Sequence, residues 1–321
     1  MIDKNICLGV VSSGGGLRTY YNAGLFYQLK KHGYNVCHIT AASGGATAGA
    51  LPYLAAENEE EIEQYMKDLA KQQTVFTFRK NMFTPSFFNM SGGYVLEMNR
   101  RFLQEQFEFF AKKHVFYENL KKIRLDISVT DITDKVQNEM IHFNPIVLEE
   151  KDEEKVLDVL QATTCTIPLS KAPKINGKYY IDGGYTKNSP MKNLFMNPDV
   201  KEMILIDFTH YQKYDDTIDK CYQPNPIRFM DNFIEMQELS MQISFDACNK
   251  TQLESALFLN NLISETKKQV LTVNKKSYVY KKIHALEPKD LEMNPLHPKA
   301  DQLAWEYYLL GKAEAEKLLL E

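Results

Sequence analysis

The chain has 321 residues, 44% of them hydrophobic and 25% charged, which excludes a fibrous or disordered polypeptide and allows a large core without staples. Its 38 basic and 42 acidic side chains leave a net charge of −4, no electrostatic match for nucleic acid. The length accommodates two domains, or one α/β domain carrying additions.

In chain order, the N-terminal stretch carries Asp3 and no long apolar region, so it does not read as a secretory leader. Residues 6–11 are a short β-branched run feeding Ser12-Ser13-Gly14-Gly15-Gly16, a strand that ends in a glycine turn. Residues 17–31 have helical apolar spacing, with Gly33 as the C-terminal cap. Residues 35–42 read as a second strand and 44–56 as an alanine-rich helix bent at Pro52. The span 33–56 lacks Asp, Glu, Lys and Arg, but His38, Thr40, Ser43 and four glycines make it too polar for a bilayer, so it reads as buried core. Asn58 is placed to cap a helix whose first turn, Glu59-Glu60-Glu61, suits the positive end of the macrodipole.

Residues 124–130 alternate as a strand that 139–143 can join, 153–162 are helical, and 179–181 and 203–208 read as strands. Beyond His210, residues 226–268 read as helices, 277–286 as one late strand and 300–320 as an amphipathic helix. Strands alternating with helices predict an α/β fold, a mostly parallel central sheet flanked by helices. Cys7, Cys37, Cys165, Cys221 and Cys248 are odd in number, scattered and without a CxxC pair. That pattern argues against a disulfide framework or a zinc site and suits a reducing compartment.

Three segments carry chemistry. Gly14-Gly15-Gly16 leaves backbone N–H groups bare at a helix start, which suits a phosphate or a developing oxyanion, and equally an ordinary tight turn. A dinucleotide fingerprint needs glycine at Thr19, and a phosphate loop needs Gly-Lys-Ser/Thr where this chain has Leu17-Arg18-Thr19, so both nucleotide readings fail. Ala41-Ala42-Ser43-Gly44-Gly45 approximates the G-x-S-x-G strand–turn–helix elbow, with Ala41 replacing its first glycine; a purely structural turn is the competing reading. Ile181-Asp182-Gly183-Gly184 follows a short strand, either a carboxylate free to approach the serine or a D-G hairpin turn. A serine elbow and an amide-rich turn at the ends of neighbouring parallel strands would face each other at the edge where α/β sheets bind ligands.

SGGGLR at 13–18, A-x-S-x-G at 41–45, T-T-C-T-I-P at 163–168 and DGGYTKNSP at 182–190 occur in that order, and together they resemble the patatin-like phospholipase family over residues 5–210. The resemblance implies a patatin-like fold and a serine–aspartate dyad, without histidine, that hydrolyses lipid acyl esters through an acyl-serine. Matched by motif, Ser43 is the nucleophile, Asp182 the base, and Gly14, Gly15, Gly16 and Gly44 the oxyanion amides. Arg18, Gly45, Gly183 and Gly184 fall at supporting positions, with a structural and an anion-holding role both open for Arg18. No cofactor and no metal are implied. An aspartate near its ordinary pKa of about 3.9 is a weak base, so the oxyanion hole is expected to supply much of the rate.

Two alternatives stand beside this reading: a Ser–His–Asp esterase drawing on His210, His284 or His297, and a non-catalytic lipid-binding protein on the same fold. His32, His38, His114 and His142 read as surface or packing residues, and none shows metal-ligand spacing such as HExxH. Residues 74–124 hold nine Lys or Arg against four Glu, and twelve of the 36 Phe and Tyr. This helical insertion either packs its aromatics into the core or docks as a lid on an anionic membrane surface. The expected organisation is a catalytic core over 1–210 that includes the insertion, with 211–321 a mainly helical extension packed on it. The expected partners are a lipid or small ester substrate and no nucleic acid; the expected location is cytoplasmic, peripheral at an anionic membrane surface in the case where the 74–124 insertion docks as a lid. The oligomeric state is not readable.

Overall fold

The computed structural model describes residues 2–69, 76–78, 96–98, 103–104, 113–143, 152–167, 170–208, 229–289, 291–293, 297 and 299–321. The first third contains β1 (Leu8–Ser12), α1 (Tyr20–Lys31), β2 (Val36–Ala42), α2 (Leu51–Ala55), α3 (Glu59–Leu69) and a ribbon of β3 (Phe76–Phe78) and β4 (Leu96–Met98). The middle contains α4 (Lys113–Leu120), β5 (Arg124–Asp131), β6 (Gln137–Phe143), α5 (Glu153–Thr163), β7 (Lys174–Ile175), β8 (Lys178–Asp182), α6 (Gly184–Lys187), α7 (Lys192–Met196) and β9 (Glu202–Ile206). The last third contains α8 (Phe229–Ser264), the hairpin β10 (Val270–Val273) and β11 (Lys276–Val279), then β12 (Lys282–Leu286) and α9 (Ala300–Leu320).

The chain forms the expected α/β sheet. Strands β12, β9, β1, β2 and β5 run parallel in that order, while β6 and β8 both pair antiparallel with β5 and β7 pairs with β8. Every residue of β1 is buried, because helices cover both faces of the sheet. The pleat sends alternate side chains to opposite sides. Leu8 and Val10 enter the larger core with Tyr21, Phe26 and Tyr308, whereas Val11 enters a smaller one with Leu194, Phe195 and Ala256. The same split divides Ile204 and Ile206 from Met203 and Leu205 in β9. At α3 the expected cap forms: Asn58 Oδ1 accepts the Glu61 N–H at 3.0 Å.

Three expectations are corrected. Residues 44–56 are helical without a break as far as Ala55, but not as one α-helix: a wide π-type segment, Gly45–Ala50, runs directly into α2, and Pro52 lies in the first turn of α2, where a missing N–H costs little. The single strand expected at 277–286 is split. Lys281 is fully buried at the break, its Nζ donating to the carbonyls of Asn197 at 2.6 Å and Val200 at 2.5 Å. Asn260 of α8 pairs with the Lys281 backbone on both N–H and C=O. β11 therefore stays in its hairpin and β12 joins the main sheet.

The third correction concerns the cysteines. Cys7 and Cys37, 30 residues apart, form a disulfide, because the parallel register sets Leu8 beside Val36 and brings the two Cα atoms to 5.4 Å. An odd total says nothing about which pairs a register makes adjacent; Cys165 and Cys248 are free, and Cys221 lies outside the described residues.

Most of the insertion at 74–124, including Phe87, Phe88, Phe109 and Phe110, lies outside the described residues. Phe116 and Tyr117 of α4 are buried, edge to face at 5.2 Å. Among the described residues, no helix is long and apolar enough to cross a membrane.

Candidate active site

Strand register brings the serine and the aspartate together. β6 occupies one edge of β5 over its whole pairing, from Leu125 to Asp131. The other edge is shared: β2 fills it as far as Ala42 opposite Ser128, and β8 fills it from Asp182 opposite Val129 onward. The ends of β2 and β8 thus meet head to head, and the residue that follows Ala42 arrives beside Asp182. On the opposite flank of β2, β1 ends in register with it, Ser12 against Ala41, so the glycine turn emerges at the same edge.

Ser43 sits at the turn with φ of 50°, a left-handed conformation that costs a non-glycine residue about 1–3 kcal/mol and persists only when its surroundings impose it. Thr163, the last residue of α5, imposes it from one side: its Oγ1 accepts the Ser43 N–H at 2.9 Å and donates to the Ser128 carbonyl at 2.7 Å. From the other side Ser12 Oγ donates to the Gly45 carbonyl at 2.8 Å, locking the first residue of the π-type segment to the end of β1. Ala41, which replaces the elbow's first glycine, is wholly buried within β2 and the turn forms regardless.

Ser43 Oγ donates to Asp182 Oδ2 at 2.5 Å. The other carboxylate oxygen accepts the Gly184 N–H at 2.7 Å. The Asp182 backbone is tied on both sides, its N–H to the Cys165 carbonyl at 2.8 Å and its C=O to Thr130 Oγ1 at 2.9 Å. Burial pushes the Asp182 carboxyl up to about 7, against the opposing effect of the hydrogen bonds from Ser43 and Gly184. The weak base expected from the sequence is thereby corrected: a local motif carries no record of desolvation. The neighbouring Cys165 thiol is pushed up to about 12 by burial and by the Asp182 charge, which leaves it inert as a nucleophile at neutral pH.

The glycine turn presses directly on the serine. A methyl group at Gly14 would stand 2.8 Å from Ser43 Cβ and 2.2 Å from Asn188 Oδ1, so no side chain fits there. Asn188 links the turn to the aspartate loop: its side-chain amide donates to the Gly14 carbonyl at 2.9 Å, and its own carbonyl accepts the Gly14 N–H at 3.2 Å. The Leu17 N–H, the next amide beyond Gly16, is engaged with the Met293 carbonyl at 2.8 Å. Gly16 has φ of +54° and lies against Met293, while Gly15 packs on Phe208 and Gly44 on Thr19. Gly183 lies on the Ser128 carbonyl and Gly184 against Phe245 of α8.

Arg18 is buried and its contacts are internal. Nη1 donates to the Phe208 carbonyl at 3.2 Å, Nη2 lies 3.6 Å from Asp246 Oδ1, and the guanidinium stacks over the Phe208 ring. It braces the glycine turn against the end of β9 and against α8.

Ser43, Asp182, the three turn glycines and Gly44 are therefore brought to one place. Sequence reasoning assigned no role to Thr163, Ser12 or Asn188, although Thr163 and Asn188 fall inside the motif segments. Among the described residues no histidine bonds to Ser43 or Asp182. His284 pairs with Glu202 at 2.5 Å, His297 Nδ1 accepts the Lys299 N–H at 3.1 Å, and His210 lies outside the described residues. His38 is buried in β2 on Asp126 at 2.9 Å, the packing role expected of it. No cluster of three metal-ligating side chains occurs among the described residues.

A family model described as patatin-like phospholipase matches residues 10–195. No curated protein matches the sequence. Among solved structures, VipD from Legionella pneumophila is similar at 11% identity with a TM-score of 0.38, over 98% of this chain and 67% of that one. Human GIVD cytosolic phospholipase A2, in complex with methyl γ-linolenyl fluorophosphonate, is similar at 13% identity with a TM-score of 0.30, over 70% of this chain and 45% of that one.

Proposed function

The chain belongs to the patatin-like phospholipase family, and on that premise we propose that it is a lipid acyl hydrolase in which Ser43 attacks the ester and Asp182 takes the proton. The observation that carries this reading is the 2.5 Å hydrogen bond from Ser43 Oγ to Asp182 Oδ2 at an elbow held in a left-handed conformation. In the first step the Ser43 hydroxyl proton passes to Asp182 as Oγ bonds to the ester carbonyl carbon. The oxyanion so formed is held by the amides of Gly15, Gly16 and Gly44, with Gly14 joining once its N–H leaves the Asn188 carbonyl. Collapse breaks the bond to the alcohol, which leaves with the proton from Asp182. Water then attacks the acyl-serine, Asp182 accepts the water proton, and that proton returns to Ser43 as the fatty acid is released.

The test is turnover of a p-nitrophenyl ester together with labelling by a fluorophosphonate. Ser43→Ala and Asp182→Asn are each expected to lower turnover by roughly 10³-fold or more, the scale on which removing a nucleophile or its base acts. Ser43→Ala is also expected to abolish labelling. Full turnover in either variant overturns the dyad. Loss of turnover on substituting His210 or His297 would favour the histidine triad instead, and absence of labelling in the native chain would favour a lipid-binding protein.

A further inference from the structure

A cavity of about 410 Å³ opens between α7, α8 and the β10–β11 hairpin, on the side of the sheet that carries the smaller core. Neither Ser43, Asp182 nor the Gly14–Gly16 turn lines it, so it is distinct from the serine site. Its volume falls within the roughly 300–1,000 Å³ typical of small-molecule sites. The walls are largely apolar, formed by Met191, Phe195, Ala256, Leu259 and Tyr278.

Its charged lining is of one sign. Lys187 and Lys192 both border the cavity, and Lys276 on the hairpin is close enough to act on Lys187 electrostatically. Burial, reinforced by Lys192 and Lys276, holds the Lys187 ammonium below the usual lysine range. None of the three makes a salt bridge to a described residue. A half-buried ammonium crowded by like charges has lost hydration without gaining a counter-ion, and a ligand that brings negative charge relieves both penalties. The apolar walls add a second requirement, a hydrocarbon body beneath the charged head.

We propose that this cavity binds a long-chain fatty acid, its carboxylate held by Lys187 and Lys192 and its tail lying along Phe195, Leu259 and Tyr278. Such an acid can come from the hydrolysis proposed above or from a free pool, and binding depends on neither source. The wall is also close to the serine site through the chain: Ser189, which borders the cavity, hydrogen-bonds to Ser13 Oγ at 2.7 Å and directly follows Asn188.

The experiment measures binding of monomeric oleate to the Ser43→Ala chain by calorimetry, with oleyl alcohol as the uncharged match. Oleate is expected to bind about tenfold or more tightly than the alcohol, the value of a charge-assisted contact. Lys187→Gln/Lys192→Gln is expected to bring oleate down to the level of the alcohol without moving the melting temperature. Ala256→Phe, which fills the cavity, is expected to remove both ligands. Oleate binding unchanged in the double lysine variant overturns the proposal, and so does its loss when Ser43 of the native chain is labelled by a fluorophosphonate. If every ester assay fails while the lysine dependence of oleate binding persists, the hydrolase reading falls and the cavity assignment stands.

Discussion

Asp182 receives hydrogen bonds from Ser43 Oγ and the Gly184 N–H, both of which favour its ionised form, yet burial outweighs them and pushes its pKa up to about 7. Only the ionised carboxylate can accept the serine proton, so kcat/KM for an uncharged ester is expected to rise with pH and level off above about 7. A profile that is flat from acid to alkaline pH would remove Asp182 as the base. The same shift makes a stability prediction. The folded-state pKa lies above the unfolded value of 3.8, so between the two the folded chain binds the extra proton, and stability from this group falls as pH rises through that window. Over some three units the loss is on the order of 4 kcal/mol. Asp182→Asn has no such loss, so its stability relative to the native chain should be greater at pH 8 than at pH 5, read from urea midpoints. An equal difference at the two pH values would show that the carboxyl is not desolvated. The identity of these residues is legible in the sequence, because a serine on a sharp elbow needs small neighbours and those neighbours are written around Ser43. The proton affinity of Asp182 is not, and neither is the role of Thr163, since a hydroxyl at a helix end reads as a cap until β5 is placed beside it.

At the scale of elements, α1 follows the glycine turn and is held by α9. The two helices cross with backbones in contact: a methyl group at Gly24 would lie 2.4 Å from Tyr308 O and Lys312 N, and one at Gly311 would lie 2.2 Å from Tyr21 O. Around the crossing, Tyr21 Oη donates to Glu314 at 2.5 Å and Gln28 Nε2 donates to the Lys312 carbonyl at 3.0 Å. Overpacking a site bounded by backbone cannot be relieved by a side-chain rotation. Gly311→Ala is therefore expected to cost about 1–3 kcal/mol in denaturant unfolding, as overpacked cores do. A midpoint equal to that of the native chain would mean that the helices are free to separate. Such a crossing leaves only two isolated glycines in the sequence, 287 residues apart and each inside a helical pattern, where glycine reads as a mild weakness. The strands are easier to read: β1 and β9, buried on both faces, appear as short apolar runs, and β5 shows through the alternation of Leu125, Ile127 and Val129. The split of 277–286 is hidden because one buried lysine, paired to Asn260 and to two carbonyls, ends one strand and starts the next.

At the scale of the whole molecule, the family match ends at residue 195, but the chain beyond it completes the edge that carries Ser43. β12 pairs along β9 in the main sheet. Asp246 of α8 approaches Arg18, and Met293 accepts the Leu17 N–H and lies against Gly16. α9 covers α1 with Tyr308 fully buried, and Lys312 reaches Glu63 of α3 at 2.6 Å while lying over the Tyr27 ring. A chain cut after residue 286 keeps every motif residue and β12, but loses Met293 and α9. Its α1 face would be exposed to water and its glycine turn would lack the carbonyl that orients Leu17. Cooperative unfolding is expected to be lost, because the larger core forfeits Tyr307, Tyr308 and Leu319 at once. Fluorophosphonate labelling of Ser43 should disappear with it. The measurement is thermal unfolding by circular dichroism alongside labelling, with the full chain as reference. A truncated chain that melts cooperatively at the midpoint of the full chain and labels at the same rate would show that the motif-bearing part folds and positions Ser43 without Met293 and α9.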